Sequence, residues 1–270
     1  MLLDFDRLGW PLRTALIAIG LATGLFLLTP IVFIGALSFG SSQWLVFPPP
    51  GWTLQWYEEL FADSGWAVAA FNSFKVAAIV TVLSVGLGFM TALALVRGSF
   101  AGRAALRAFF LTPMVLPVVV LAVALYAVFL RIGLTGSLLG FVIGHLLVAL
   151  PFSIITLGNA LEGFDFALED AALVCGASRL QTRLRVTLPA IRSGLFSAAV
   201  FSFLASWDEV VLSIFMATPG METLPVRIWS SLRQDLSPVI AAVSTLLIGF
   251  TLVLMLLSVV LRKGKQDGLR

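Results

Sequence analysis

Near the middle of a long apolar stretch, Leu195–Thr218, the chain places Ser206-Trp207-Asp208-Glu209. Ionisable groups at such a position are costly to keep and mark functional candidates by default. Read as one helix, Ser202, Ser206, Glu209 and Ser213 form a single polar stripe, with Asp208 about 100° to one side. Two carboxylates there attract a cation, especially an ammonium or a diamine. The same pair serves structure alone if Lys75 or a neighbouring backbone neutralises it, or if one acid holds a proton. The residues leave both readings open. As acid and base the pair would make a membrane-embedded enzyme. Against that stand a single histidine, His145, and no GxSxG or HExxH motif. One cysteine, Cys175, excludes a disulfide framework, and no multi-histidine metal centre is available.

The elements that must hold these acids follow from composition. The 270 residues are 60% hydrophobic and 11% charged, with mean hydropathy +1.05. A soluble domain carries roughly 45–50% apolar and about 25% charged residues. Crossing a bilayer takes about 20 apolar residues. Six stretches suffice: Thr14–Phe39, Ala67–Val96, Phe109–Leu130, Ser137–Gly158, Leu195–Thr218 and Pro238–Leu261. The expectation is an all-α integral membrane protein, one transmembrane domain over residues 1–270, without a separate soluble catalytic domain. The first stretch is too long for a signal peptide's apolar region, and Asp4 and Asp6 spoil its basic flank, so it reads as a retained helix. A net charge of +3 does not suggest nucleic acid.

Thirteen of the 17 Lys and Arg fall on one side of this layout, from Arg7 and Arg13 to Lys265 and Arg270, which puts both termini in the cytoplasm. The outer segment 40–66 has no Lys or Arg. Its Trp44, Trp52, Trp56, Tyr57 and Trp66 read as an interfacial belt, with Thr53 capping a short surface helix over Leu54–Phe61. The inner segment 159–193 is the longest cytoplasmic loop. Leu161, Phe164, Leu168, Ala171 and Ala172 give a first amphipathic helix. Gly176 permits a positive-φ turn, Ser178 caps a second helix with Leu180, Leu184 and Leu188 on one face, and Pro189 stops it. Such an element suits docking to a partner, or a loop lying on anionic headgroups.

Asp170-Ala171-Ala172, three residues, Gly176, nine residues, then Val186-Thr187-Leu188-Pro189 resembles the EAA loop of permease subunits in binding-protein-dependent ABC importers. Its usual form is Glu-Ala-Ala-x3-Gly-x9-Ile-x-Leu-Pro. The spacing matches throughout, and Asp170 and Val186 are the two conservative departures. Glu169 directly precedes the motif. The resemblance implies a type I importer permease fold whose loop couples to an ATP-hydrolysing subunit through Asp170, Ala171, Ala172, Gly176, Leu188 and Pro189. It further implies an ATP-binding subunit dimer, a second permease subunit, a periplasmic substrate-binding protein and residence in the inner membrane. No Walker-type loop occurs here, so ATP and Mg2+ belong to the partner and this chain binds no cofactor.

Ser206–Ala241, with its Ser-Trp-Asp-Glu element, Leu224-Pro225 and Ser237-Pro238, resembles the spermidine and putrescine subgroup. That resemblance implies that Ser206, Trp207, Asp208 and Glu209 line the path of a polyamine; an amino-acid derivative, phosphonate or metal chelate is the alternative cargo. Among the remaining polar residues, Lys75 reads as snorkelling, Asn72 as an interhelical hydrogen bond and His145 as a buried hydrogen-bonding group. Pro30, Pro113, Pro117 and Pro151 kink their spans, and Gly86 and Gly88 permit close helix approach.

Overall fold

The computed structural model describes residues 9–234 and 237–263, with side chains followed to Val253. Arg7, Lys265 and Arg270, on which part of the orientation rests, lie outside the described residues, as do the side chains of Arg262 and Lys263. No strand occurs among the described residues, only the isolated bridges Gly40 with Trp52 and Thr218 with Met221. The chain divides into two compact units, Met1–Asp63 with Ser231–Leu256, and Ser64–Ser230 with Leu257–Arg270.

In the first unit, α1 (Trp10–Ser38) starts with Pro11 in its first turn, where the missing N–H costs nothing. Its most apolar window has no buried residue. A helix that is apolar on every face is suited to lipid. The chain then folds back on itself. Thr53 N–H donates to Phe39 O (2.7 Å), Trp56 Nε1–H to Gly40 O (2.6 Å), and Ser38 Oγ pairs with Tyr57 OH (2.8 Å). Helix α2 (Gln55–Ala62) begins one residue later than expected. Leu54 occupies the cap, while the Thr53 hydroxyl accepts from Gln55 N–H instead. The expected aromatic belt thins out as well: Trp44 and Trp52 are exposed, Trp56 and Trp66 buried.

The second unit runs through α3 (Ser64–Arg97), α4 (Arg103–Val115), α5 (Val118–Ile132), α6 (Leu138–Glu162), α7 (Ala167–Val174), α8 (Arg179–Ala190), α9 (Arg192–Trp207) and α10 (Val211–Met216). Helix α11 (Leu224–Gln234) leads on to α12 (Val239–Lys263). Of these, α1, α3 and α6 are each long and apolar enough to cross a bilayer. The stretch expected as one span at 109–130 is two helices, α4 and α5, meeting at 100°. The residue before a proline is pushed out of the helical region, and Leu116, before Pro117, sits at φ −70°, ψ 139°.

At the centre pack α3, α6 and α9. Lipid is as apolar as leucine, so helices in it associate through close packing and hydrogen bonds rather than through expulsion from water. Gly88 supplies the close approach: a Cβ there would lie 2.6 Å from Ser153 Cβ, whereas Gly86 faces open space. Ser84, Ser153 and Ser202, one from each helix and all buried, join in a triangle of hydroxyls 2.7–3.1 Å apart. Val76, Val80, Phe141, Val142 and Met216 form one apolar cluster of this unit, and Leu93, Leu157, Leu161, Phe164 and Ile191 another.

Candidate functional site

The fifth apolar stretch is not one helix. Helix α9 ends at Trp207, Asp208 is its cap, and α10 restarts at Val211. The expected stripe over Ser202, Ser206, Glu209 and Ser213 is therefore split at the two acids. A break inside a span frees backbone groups, and tolerating it requires that neighbours satisfy them. Glu209 does part of this, its Oε1 accepting from Leu212 N–H at 2.8 Å and closing the start of α10. Asp208 is left exposed, Glu209 partly buried, and Trp207 buried and stacked on Phe203 with ring centroids 5.6 Å apart.

His145 of α6 holds the two sides of the break together. It is buried at 1% exposure, with Nδ1 2.9 Å from Ser206 Oγ and Nε2 2.9 Å from Ser213 Oγ. Ser213 has one hydroxyl proton, which goes to Glu209 O at 2.8 Å. Through Nδ1 the imidazole meets Ser206 at its carbonyl oxygen as well (3.1 Å), and through Nε2 it meets Ser213. The expectation of a buried hydrogen-bonding histidine is met, but its two partners flank the acid pair. Spacing alone gave no sign of that. Lys75 does not neutralise the acids; its Nζ lies 5.5 Å from the centroid of the Phe71 ring. Asn72 Nδ2 donates to Glu222 O at 3.1 Å, reaching the loop ahead of α11 rather than a neighbouring helix.

The 159–193 loop is a second arrangement. Leu161 lies in the last turn of α6 and Phe164 in the turn beyond it, both buried, so the first helix of the loop starts only at Ala167. Gly176 has φ +89°, and Ser178 caps α8 with a reciprocal bond pair to Gln181. Pro189 does not stop this helix, which runs on to Ala190. The turn over Arg183–Thr187 widens to a π-turn, with Leu188 N–H donating to Arg183 O. The extra residue relieves the clash a proline ring makes with the carbonyl one turn back. Past Ile191, α9 leaves at 76°.

Sequence reading passed over what fastens this loop. Glu169, 4% exposed, is paired with Arg97 at the end of α3 and accepts from the Thr187 hydroxyl. Arg97 also lies 4.5 Å from the Phe166 ring centroid. The motif acid, Asp170, is exposed and only 4.0 Å from Arg97 Nη2. Ala171 is exposed, Ala172 and Leu188 partly buried, Pro189 exposed, and Leu168, Val174, Leu180 and Leu184 present apolar surface outward.

A helical bundle of apolar spans, one of them broken at an acid pair, with a helix–glycine–helix loop strapped to its end, defines a membrane transport subunit. Residues 84–265 match the family described as binding-protein-dependent transport system inner membrane component, and the chain belongs to that family. It is 30% identical over 243 residues to the spermidine/putrescine transport system permease protein PotC of Escherichia coli K12, covering 90% of this chain and 92% of that protein. The putrescine transport system permease protein PotI of the same strain is 29% identical over 88% of this chain and 86% of its own length. A bacterial ABC transporter that imports alginate superimposes with TM-score 0.70 at 17% identity, over 97% of this chain and 98% of that one, and shares the fold. The protein is thus an inner-membrane permease subunit of an ABC importer and not an enzyme. The family implies an ATPase and a substrate-binding protein as partners.

Proposed function

We propose that this permease carries a polyamine or a related cationic amine, with Asp208 and Glu209 meeting its ammonium groups and Ser206 and Trp207 shaping the site. The observation that carries the reading is the break at Asp208–Val210, which leaves one carboxylate exposed in the middle of an apolar stretch. Isolated carboxylates are not kept there without a counter-ion, and among the described residues no Lys or Arg pairs with either of them. The relatives PotC and PotI, named as permeases for spermidine and putrescine, point to the same cargo class.

Six spans with both termini in the cytoplasm then place the 159–193 loop inside, where Asp170, Ala171, Ala172, Gly176, Leu188 and Pro189 engage an ATPase subunit. A dimer of that subunit and a second permease, similar or identical, complete the machine. Its cycle is alternating access: cargo delivered from outside, ATP-driven closure transmitted through the loop, and release inward after hydrolysis. The chain itself binds no cofactor.

The test is uptake of labelled putrescine and spermidine by the assembled importer in vesicles. Replacing Asp208 by Asn and Glu209 by Gln together lowers uptake by about tenfold or more, the weight of a charge-assisted contact, while the subunits still copurify. Undiminished uptake in the double variant removes the acids from the pathway.

A further inference from the structure

Between the end of α3 and the loop lies a cavity of about 570 Å³, of whose wall the transport reading uses Asp170 alone. One wall is apolar, with Phe89, Met90 and Leu93 following one another along α3. The facing wall is basic, with Arg179 and Arg183 one turn apart on α8. Both are exposed, and neither has an ion-pair partner among the described residues. Of the two acids on the wall, Arg97 pairs with Glu169 and leaves Asp170 only a 4.0 Å contact, so the three arginines and two acids give the cavity a net charge of +1. Between the two arginines, Thr182 is 2% exposed and its hydroxyl has no hydrogen-bond partner. That oxygen is shut off from the cavity, so the two arginines are the groups that meet a ligand there.

The geometry points to an anionic phospholipid: its headgroup phosphate held by Arg179 and Arg183, its acyl chain laid along Met90 and Phe89. A free phosphate has no use for the apolar wall, and a neutral lipid none for the arginines. Guanidinium groups bind phosphate oxygens in pairs, and an anionic cytoplasmic leaflet enriches such a ligand at a basic site. Leu180 and Leu184 fall on another face of α8, so the loop's outward apolar surface stays open with the lipid in place. This inference rests on the loop being cytoplasmic, as proposed above. It makes the bilayer part of the joint between α3 and the coupling loop.

The experiment uses the assembled importer in nanodiscs of phosphatidylcholine with graded phosphatidylglycerol, reading retained phosphatidylglycerol by native mass spectrometry. The R179Q/R183Q variant binds it about thirtyfold more weakly, the weight of two basic side chains near an anionic surface. R179K/R183K, which keeps the charge, stays within about fivefold of wild type. M90W, which fills the apolar wall and leaves both arginines, also loses retention. Equal retention in wild type and R179Q/R183Q overturns the site. Displacement by millimolar inorganic phosphate, with M90W unaffected, makes the ligand a soluble phosphate and overturns the lipid. Retention is read without any cargo, so its failure and the failure of amine uptake are separate results.

Discussion

His145 Nε2 lies 2.9 Å from Ser213 Oγ, across a gap in the helix that Ser213 belongs to. The imidazole spans the break by also taking Ser206 on the other side. Replacing His145 by Ala removes both bonds and leaves a void, at a cost of about 1–3 kcal/mol. Thermal unfolding of the purified importer checks the stability. If the clamp positions Asp208 and Glu209, the KM for the amine rises more than kcat falls. A loss of stability with unchanged KM assigns His145 to the fold alone.

Gly88 is expected to tolerate no side chain. A Cβ there meets Ser153 Cβ at 2.6 Å, between two helices that cannot both give way. Gly88→Val costs about 1–3 kcal/mol, while Gly86→Val, facing open space, is silent. The comparison of folded yield and unfolding temperature between the two variants is internal, since both glycines sit on α3.

Glu169, not the motif acid beside it, fixes the loop to α3. Glu169→Ala takes from Arg97 its buried partner, leaving it the 4.0 Å contact to Asp170, and leaves the Thr187 hydroxyl unpaired, costing about 2–3 kcal/mol after allowance for the 40% exposure of Arg97. ATP hydrolysis is then expected to continue with less amine moved per ATP. Asp170→Asn, at an exposed 4.0 Å contact, changes stability by at most about 1 kcal/mol. Its effect, if any, falls on ATPase affinity. Measuring hydrolysis and uptake together in vesicles separates the two residues.

Gly176 at φ +89° admits no β-branched side chain without strain. Gly176→Val costs about 1–3 kcal/mol and misdirects α8 relative to α7. Copurification with the ATPase subunit is the direct measurement; full retention and full coupling would discredit the docking assignment.

What could be read from the sequence was set by periodicity and by backbone exceptions. Apolar length located the helices, the Gly176 turn followed from its missing Cβ, and Ser178 capped as its type prefers. The interruptions were less legible. Pro117 announced the α4–α5 bend only to a reader who placed Leu116 in the extended region, and Asp208-Glu209 carry no breaker at all. The bonds on either side of their break come from His145, 61 residues before Ser206, and a contact of that kind has no signature in local spacing. Arg97 is likewise only a basic residue at the end of a span when met in the sequence, because its pairing with Glu169 exists only once α3 and α7 are adjacent.

The hydroxyl triangle of Ser84, Ser153 and Ser202 joins α3, α6 and α9 without drawing on any group outside itself. Ser84 donates to Ser153, so the ring closes with Ser153 donating to Ser202 and Ser202 back to Ser84, each hydroxyl giving one proton and taking one. All three are sealed from solvent. The bundle therefore keeps these interhelical hydroxyls away from solvent, while Asp208 and Glu209, six and seven residues past Ser202, lie beyond the last helical residue of α9.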